Sequence, residues 1–167
     1  MPILSADALE FISRNPEQTR RVGARLGMFL TGGEVIALEG ELGAGKTVFA
    51  QGVGIGWGAT TPMLSPTFIL IRRHTRHQDN RLFYHIDLYR IASVQEAVDL
   101  GLEELLGDPD AVCVVEWADR AAELFPEEML WVTLRALDEQ RRSLTFRAHG
   151  DRHRAILEKL RKELAGY

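Results

Sequence analysis

The chain has 167 residues, of which 46% are hydrophobic and 26% are charged, and this composition is typical of one soluble globular domain over residues 1–167. Its net charge of −4 excludes a protein that binds polyanions through its overall field, and its one cysteine, Cys113, excludes an internal disulfide or a zinc or iron–sulfur site with several cysteines. No apolar stretch approaches the roughly 18 residues that cross a bilayer, and residues 1–7 lack the features of a secretory signal, so we expect a cytoplasmic protein with no membrane partner.

The predicted elements alternate between helices and apolar strands. Asn15 is a good N-cap and Pro16 suits a first helical position, so a helix is expected from there toward Leu30. Residues 35–38 predict a buried strand, which a glycine-rich loop connects to a helix ending near Trp57. This order favours an α/β sandwich with a mostly parallel central sheet and antiparallel additions. Further strands are expected at 68–71, 82–86 and 112–115, a hairpin at 130–134 and 143–147, and an amphipathic helix at 154–164.

One motif carries the strongest chemical information. Residues 40–47 read GELGAGKT and match G-x-x-x-x-G-K-[ST] in full, between a predicted strand and a predicted helix. The glycines allow backbone N–H groups to surround phosphate oxygens, and the helix N-terminus adds its positive end. Lys46 would bind the β- and γ-phosphates, and the Thr47 hydroxyl would bind Mg²⁺. The motif therefore predicts a nucleoside-triphosphate site in a three-layer sandwich of the P-loop NTPase type.

A second glycine-rich stretch is not a nucleotide motif. Gly52, Gly54, Gly56 and Gly58 alternate, but no register of them gives G-x-G-x-x-G, and they follow the predicted helix instead of preceding it. A frayed helix end with a loop is the interpretation that we carry forward.

Two acidic residues are candidates for binding the magnesium ion and for orienting the catalytic water. Asp87 and Glu116 each follow an apolar strand, where carboxylates reach the crevice of an open sheet. Either could instead cap a helix or pair with Arg90 or Arg120. The hydroxyls of the Ser65–Thr67 loop could sense the γ-phosphate or position water, and an ordinary turn is the alternative.

The sequence also indicates which nucleotide is expected to bind. No N-K-x-D motif for guanine is present, and the sequence from Asp87 to Arg90 ends in arginine where GTP switch proteins have D-x-x-G. ATP is therefore favoured over GTP. A small-metabolite kinase would need an arginine-bearing lid in the C-terminal half, where a strand and a helix are predicted. A nucleotide-gated binding module without significant turnover is the other alternative.

Charge is concentrated in two segments. Four arginines and two histidines between Arg72 and Arg81 predict a basic loop, and Glu96–Asp110 holds six acidic residues and no basic one. Such runs are usually solvated surfaces. Their alternative role is docking of a partner through faces of opposite sign.

The motifs together resemble the TsaE family, the small bacterial P-loop ATPases of tRNA threonylcarbamoyladenosine biosynthesis. The resemblance covers about residues 5–150 and rests on four ordered motifs. These motifs are Leu38–Thr47, Ser65–Phe68, His85–Arg90 and Val115–Trp117.

The resemblance implies a function and a set of residue roles. Members bind ATP and Mg²⁺ and hydrolyse ATP in a complex with the TsaB and TsaD proteins, and they meet tRNA indirectly through that complex. By position, Thr47 and Glu116 would bind Mg²⁺, Asp87 would be the second acid in the metal shell or beside the water, and Trp117 would cover the nucleotide or contact a partner. Catalysis would depend on Lys46, Asp87 and Glu116. The nucleotide would contact Pro16, Thr19, Gly43, Ala44, Gly45, Lys46, Thr47, Val48 and Trp117.

Overall fold

The computed structural model describes residues 6–65 and 70–167. The strands in this part of the chain form one seven-stranded sheet of order β1-β7-β6-β2-β5-β4-β3. Its four central strands, β6, β2, β5 and β4, run parallel, while β1, β7 and β3 are antiparallel to their neighbours. The strands are β1 Ala8–Ser13, β2 Val35–Glu39, β3 Ile71–Thr75, β4 Leu82–Asp87, β5 Ala111–Glu116, β6 Met129–Ala136 and β7 Arg142–His149.

Helices cover both faces of the sheet, which confirms the predicted three-layer α/β sandwich. One hydrophobic core lies between the sheet and helices α1, α2 and α5. A second core lies on the opposite face under α3, α4 and a 3-10 helix, Ala118–Leu124. The helices are α1 Pro16–Gly27, α2 Lys46–Trp57, α3 Val94–Asp99, α4 Leu102–Leu106 and α5 Asp151–Leu164. None of the helices in the described residues has the length and apolarity required to cross a membrane.

The start of α1 is as predicted. The Asn15 side chain accepts a hydrogen bond of 2.8 Å from the Gln18 N–H, and Pro16 occupies the first turn, where its missing N–H costs nothing. The helix ends at Gly27, three residues before the expected Leu30. This cap fixes the N-terminus of α1 next to the glycine-rich loop.

The alternating glycines do not mark a frayed helix end, and that interpretation was wrong. Gly52, Gly54 and Gly56 lie on α2, which continues to Trp57 and packs closely against α1, and Gly58 is the C-cap of this helix. A Cβ atom on Gly56 would lie 2.0 Å from the Ala24 carbonyl oxygen, and one on Gly27 would lie 2.1 Å from the Val53 carbonyl oxygen. The glycines therefore allow two helix backbones to come into contact. Glycine spacing was compared only with nucleotide-binding motifs, and helix packing is a different use of the same residue.

The first part of the predicted basic loop is a strand. Arg72 and Arg73 belong to β3, an edge strand that pairs with β4, because burial of His74 against Phe83 gives one of its faces a core position. Arg76 follows in the hairpin, where its guanidinium pairs with Asp79 at 2.6 Å. The Arg76 side chain is only 8% exposed, so it is a structural residue rather than a free surface charge.

Two residues of the strand expected at 68–71, residues 68 and 69, lie outside the described residues, and the observed strand β3 begins at Ile71. Several short elements were not predicted at all. These are β1, α3, α4 and the 3-10 helix.

The C-terminal hairpin and helix agree with prediction. Strands β6 and β7 pair antiparallel, with Leu134 opposite Leu144, and α5 begins three residues earlier than the expected 154. Since β6 also pairs parallel with β2, the hairpin extends the central sheet. This brings the first residue of β7, Arg142, next to the glycine-rich loop.

Candidate functional site

A cavity of about 330 Å³ lies at the carboxyl ends of the parallel strands β2, β4 and β5. Parallel strands end at one edge of a sheet, and open α/β sheets bind ligands in the crevice outside that edge. The cavity is lined by residues of α1, of the loop and first turn of α2, of the ends of β4 and β5, and of β7. They are Pro16, Thr19, Leu42, Gly43, Gly45, Lys46, Thr47, Val48, Asp87, Tyr89, Glu116, Trp117 and Arg142.

The loop between β2 and α2 has the backbone conformation that its glycines predict. Gly45 has φ +99°, a left-handed value that strains any residue with a Cβ atom, and it is the cap at which α2 begins. The N–H groups of the first turn of α2 are therefore left for a ligand, and a helix N-terminus favours an anion. The loop can bind a phosphate group with its backbone.

Lys46 lies over this loop with its ammonium group held by backbone oxygens. Nζ donates to the carbonyls of Gly40 and Glu41, the latter at 2.9 Å, and it lies 4.1 Å from the centre of the Trp117 ring. Burial lowers the pKa of Lys46, while the carboxylates of Glu116 and Asp87 oppose that shift. Lys46 is thus a positive charge close to the acids.

Glu116 and Thr47 meet directly across the cavity. The Thr47 hydroxyl donates a hydrogen bond of 2.7 Å to Glu116 Oε1, and the second oxygen, Oε2, lies 2.7 Å from His85 Nε2. Glu116 is 2% exposed. Its carboxylate therefore has a fixed orientation beside the first turn of α2.

Asp87 lies next to Glu116, because the two residues are paired in the register of β4 and β5. Its Oδ1 accepts a hydrogen bond of 2.8 Å from the Tyr89 N–H. Burial raises the pKa of Asp87 above its usual range, and the nearby charge of Glu116 adds to that shift. Both strand-end acids thus line one cavity, as the spacing predicted.

Trp117 closes one side of the cavity in a rare backbone conformation. Its φ is +58°, and among the described residues it is the one residue other than glycine with a positive φ. The ring packs against Tyr89 with centroids 5.1 Å apart, and the Arg120 guanidinium lies 4.8 Å from the Trp117 ring. Arg120 therefore contacts the aromatic pair, and no ion pair joins it to Asp87 or Glu116 in the described structure.

The opposite end of the cavity is formed by α1 and β7. The Thr19 hydroxyl is bonded to Ser13 Oγ at 2.7 Å, and its methyl carbon lies near Gly45. Arg142 completes this end by donating a 3.0 Å hydrogen bond to the Gly43 carbonyl. Pro16 and Thr19 thus line the same cavity as the loop, and their contact with a nucleotide stays a prediction.

Most of the predicted site residues line the cavity, and one does not. Ala44 is buried in the core under the loop, and its backbone N–H donates a 3.0 Å hydrogen bond to the Glu41 carbonyl. Residues 66 and 67 of the Ser65–Thr67 loop lie outside the described residues, and the role suggested for the Ser65 and Thr67 hydroxyls stays a prediction.

Sequence reasoning missed three lining residues: Leu42, Tyr89 and Arg142. Tyr89 lies inside the His85–Arg90 motif, and it could have been found because it follows Asp87 by only two residues in the sequence. Leu42 occupies a variable position of the loop motif, and Arg142 has no local signal, because only the pairing of β6 with β2 brings it to the loop.

The comparisons with known proteins agree with this geometry. The sequence model of the family described as "Threonylcarbamoyl adenosine biosynthesis protein TsaE" matches residues 13–144. The chain therefore belongs to the TsaE family. The resemblance drawn from the four motifs is confirmed, and with it a role in tRNA threonylcarbamoyladenosine biosynthesis.

Individual TsaE proteins match most of the chain. The tRNA threonylcarbamoyladenosine biosynthesis protein TsaE of Bacillus subtilis (strain 168) is 38% identical over 153 residues, which are 91% of this chain and 93% of that protein. The TsaE protein of Treponema pallidum (strain Nichols) is 37% identical over 134 residues, covering 80% and 96%. The crystal structure of Bacillus subtilis YdiB superposes with a TM-score of 0.72 and 32% identity, covering 93% of this chain and 95% of YdiB.

Proposed function

We propose that this TsaE-family protein binds ATP with Mg²⁺ and hydrolyses the ATP, and that it thereby supports the complex that places threonylcarbamoyl on the adenosine next to the tRNA anticodon. The observation that carries the proposal is the 2.7 Å hydrogen bond from Thr47 Oγ1 to Glu116 Oε1. It joins the threonine of a complete phosphate-loop motif to a strand-end carboxylate beside Lys46, and these are the groups that P-loop NTPases use.

The residues present fit a magnesium ion. Mg²⁺ prefers oxygen ligands and keeps several of its waters, so a hydroxyl and one or two carboxylates suffice when phosphate oxygens complete the shell. Thr47 and Glu116 would hold the ion, and the described residues contain no cluster of three or more acidic, histidine or cysteine side chains that would hold it alone. Bound Mg²⁺ supplies positive charge to the β- and γ-phosphate oxygens.

The other residues of the cavity bind and orient. The backbone N–H groups of residues 43–48 surround the phosphates, and Lys46 places its ammonium group on the β- and γ-oxygens. Asp87, next to Glu116 in the register, either orients the attacking water or accepts hydrogen bonds from waters of the metal. Trp117 covers the phosphate end, where its ring already lies over Lys46.

The base would lie at the end formed by Pro16, Thr19 and Arg142. The methyl carbon of Thr19 and the ring of Pro16 offer apolar contact to a purine, and Arg142 offers a cation that can stack on it. Because the chain has no N-K-x-D motif, adenine is the expected base.

The cavity itself suggests that partners complete the enzyme. Its described lining contains two cations, Lys46 and Arg142, and Arg142 is bonded to the loop carbonyl at the base end. Charge that develops on the γ-phosphate therefore has Lys46 as its own side-chain cation, and a missing cation can reduce the rate by about 10³–10⁵. We propose that the TsaB and TsaD proteins, in the cytoplasm, supply or order that cation.

Phosphate release measured with and without TsaB, TsaD and tRNA tests the proposal. The isolated protein should bind ATP and turn it over slowly, and the partners should raise the rate at least several-fold. Lys46→Ala should abolish turnover in a folded protein, whereas Lys162→Ala, at an exposed position of α5, should leave it unchanged. ATP binding without turnover in the full mixture would favour the nucleotide-gated module, and transfer of labelled phosphate to a metabolite would favour a kinase.

A further inference from the structure

His85 lies behind the two acids and holds one of them. It precedes Asp87 by two residues on β4, so both side chains lie on the same face of the sheet, and it is completely buried. Its Nε2 is 2.7 Å from Glu116 Oε2, while Thr47 donates to Oε1. Each carboxylate oxygen of Glu116 thus has one partner, from β4 and from α2 respectively.

The surroundings of the imidazole determine where its proton lies. Nδ1 is buried and has no hydrogen-bond partner within the described part of the chain. A proton on Nδ1 would therefore be a buried unsatisfied donor, which costs about 1–3 kcal/mol. The arrangement with the proton on Nε2, donated to Glu116 Oε2, leaves no donor unsatisfied. His85 Nε2 is then the donor of the hydrogen bond that holds the Glu116 carboxylate.

We propose that His85 is a positioning residue that keeps Glu116 oriented for Mg²⁺, an inference that rests on the proposed function. If Thr47 Oγ1 and Glu116 Oε1 both served as ligands, both atoms would be committed to the ion. The hydrogen bond from His85 to Oε2 would then be the contact from outside the metal site that keeps the carboxylate oriented. Groups in this position are known to change metal affinity by about 10–100-fold when they are removed.

A purely structural role predicts different behaviour, and His74 provides the matched comparison. It is also a buried histidine, 4% exposed, and it lies on the neighbouring strand β3 opposite Phe83, on the same face of the sheet as His85. Its hydrogen bond goes to Thr61 instead of to a cavity residue. Replacement of His74 therefore reports the cost of losing a buried imidazole without loss of the Glu116 contact.

The test compares His85→Leu, His85→Gln and His74→Leu in the full chain. The primary measurement is the affinity for ATP by calorimetry, with and without Mg²⁺, together with direct Mn²⁺ binding in the presence of ATP by electron paramagnetic resonance. We expect His85→Leu to weaken metal binding tenfold or more while metal-free ATP affinity stays within about twofold. His85→Gln, whose amide can donate to Glu116, should recover most of the loss, and His74→Leu should bind metal like the wild type.

Nitrogen-15 NMR of the wild-type imidazoles gives a readout that does not depend on activity. We expect the proton of His85 on Nε2, and a change of the His85 signals in Glu116→Gln but not of the His74 signals. Wild-type metal affinity in a folded His85→Leu protein, or equal losses in His85→Gln and His85→Leu, would overturn the positioning role. A wild-type protein that binds no ATP or metal would overturn the proposed function. A wild-type protein that binds both, with unchanged metal affinity in His85→Leu, would overturn the positioning role alone.

Discussion

The Arg142 side chain joins strand β7 to the glycine-rich loop through a 3.0 Å hydrogen bond from Nη2 to the Gly43 carbonyl oxygen. Nη1 donates to the carbonyls of Asp138 and Arg141 at 2.7 and 2.9 Å. Three backbone oxygens thus fix the guanidinium group at the end of the cavity where the base is expected. The loop, in turn, is held from a strand that lies about a hundred residues further along the chain.

The first prediction follows from this contact. Arg142→Ala should weaken ATP binding by about 30-fold or more, because it removes both a hydrogen bond from a charged donor and a surface for the base, each worth about 1 kcal/mol or more. Binding of inorganic tripolyphosphate should fall less, since it lacks a base. Calorimetric titration of both ligands measures the difference.

The adjacent arginine supplies the control. Arg141 is exposed and pairs with Asp138 at 2.7 Å, so that Arg141→Ala changes the same net charge without touching the loop. Equal ATP affinity in Arg142→Ala and the wild type would show that Arg142 does not contribute to the nucleotide site.

Arg142 is a site residue that local sequence signals could not predict. Local signals were sufficient for Lys46, Thr47, Asp87 and Glu116, because a complete loop motif and strand-end acids place their own side chains at one edge of a parallel sheet. Arg142 reaches that edge only because β6 adds to β2 and β7 then folds back, a pairing that depends on distant segments. The residue types around Arg142 carry no trace of that pairing.

The errors in the fold have a similar cause. The Gly52–Gly58 stretch was assigned to a frayed helix end because it gives no nucleotide motif and follows the predicted helix. Most of it belongs to α2, where close contact with α1 accommodates glycine despite its poor helix propensity. Strand β3 was assigned to a loop because of its charges, but an edge strand needs only one buried face and tolerates charge on the other. In both segments tertiary packing overrides local preference.

The second prediction separates the two acids. Glu116→Gln should raise the Mg²⁺ concentration for half-maximal ATP hydrolysis by tenfold or more, because an amide is a weaker ligand than a carboxylate and Thr47 bonds to this group. Asp87→Asn should lower the maximal rate about 10²-fold or more, with less effect on the Mg²⁺ requirement, if Asp87 orients water.

Magnesium titrations of the hydrolysis rate in both variants decide between the roles of Asp87. Parallel shifts of the Mg²⁺ requirement would mean that both acids belong to the metal shell. A larger Mg²⁺ effect in Asp87→Asn than in Glu116→Gln would mean that the two roles are exchanged.

The third prediction concerns the contact between α1 and α2, which supports the loop from below. Gly56→Ala should destabilise the fold by about 1–3 kcal/mol, because the new methyl group would meet the Ala24 carbonyl oxygen at 2.0 Å and two helix backbones must separate. Urea unfolding followed by circular dichroism measures the change.

Gly54→Ala, on the same helix, is the matched variant. Its methyl group meets only the flexible end of the Met63 side chain, at 2.3 Å, and alanine gains up to about 1 kcal/mol of helix propensity over glycine. We therefore expect a smaller loss or a gain of stability. Equal stability losses in both variants would contradict the importance of the backbone contact.

The last prediction is a pH dependence of stability that arises far from the cavity. His153 of α5 is 2% exposed, and its Nε2 accepts a 3.2 Å hydrogen bond from the Val35 N–H at the start of β2. Burial is the main cause that lowers the pKa of His153 from 6.5 to about 4. The folded protein therefore keeps this imidazole neutral at pH values where the unfolded chain protonates it.

The sign follows from proton linkage. Below pH 6.5 His153 is protonated in the unfolded chain, but in the native state it is protonated only below about pH 4. The free energy of unfolding therefore falls as the pH is lowered through this window, and it levels off below the window. At one pKa unit per roughly 1.4 kcal/mol, the contribution of His153 to this loss is at most about 3 kcal/mol.

His153→Gln should reduce the slope of unfolding free energy against pH between 6.5 and 4, because its amide oxygen can still accept from Val35 but does not titrate. His77→Gln, at an exposed position of the β3–β4 hairpin, is the control. Urea unfolding of the three proteins at several pH values provides the measurement, and identical slopes in His153→Gln and the wild type would exclude His153 as the source.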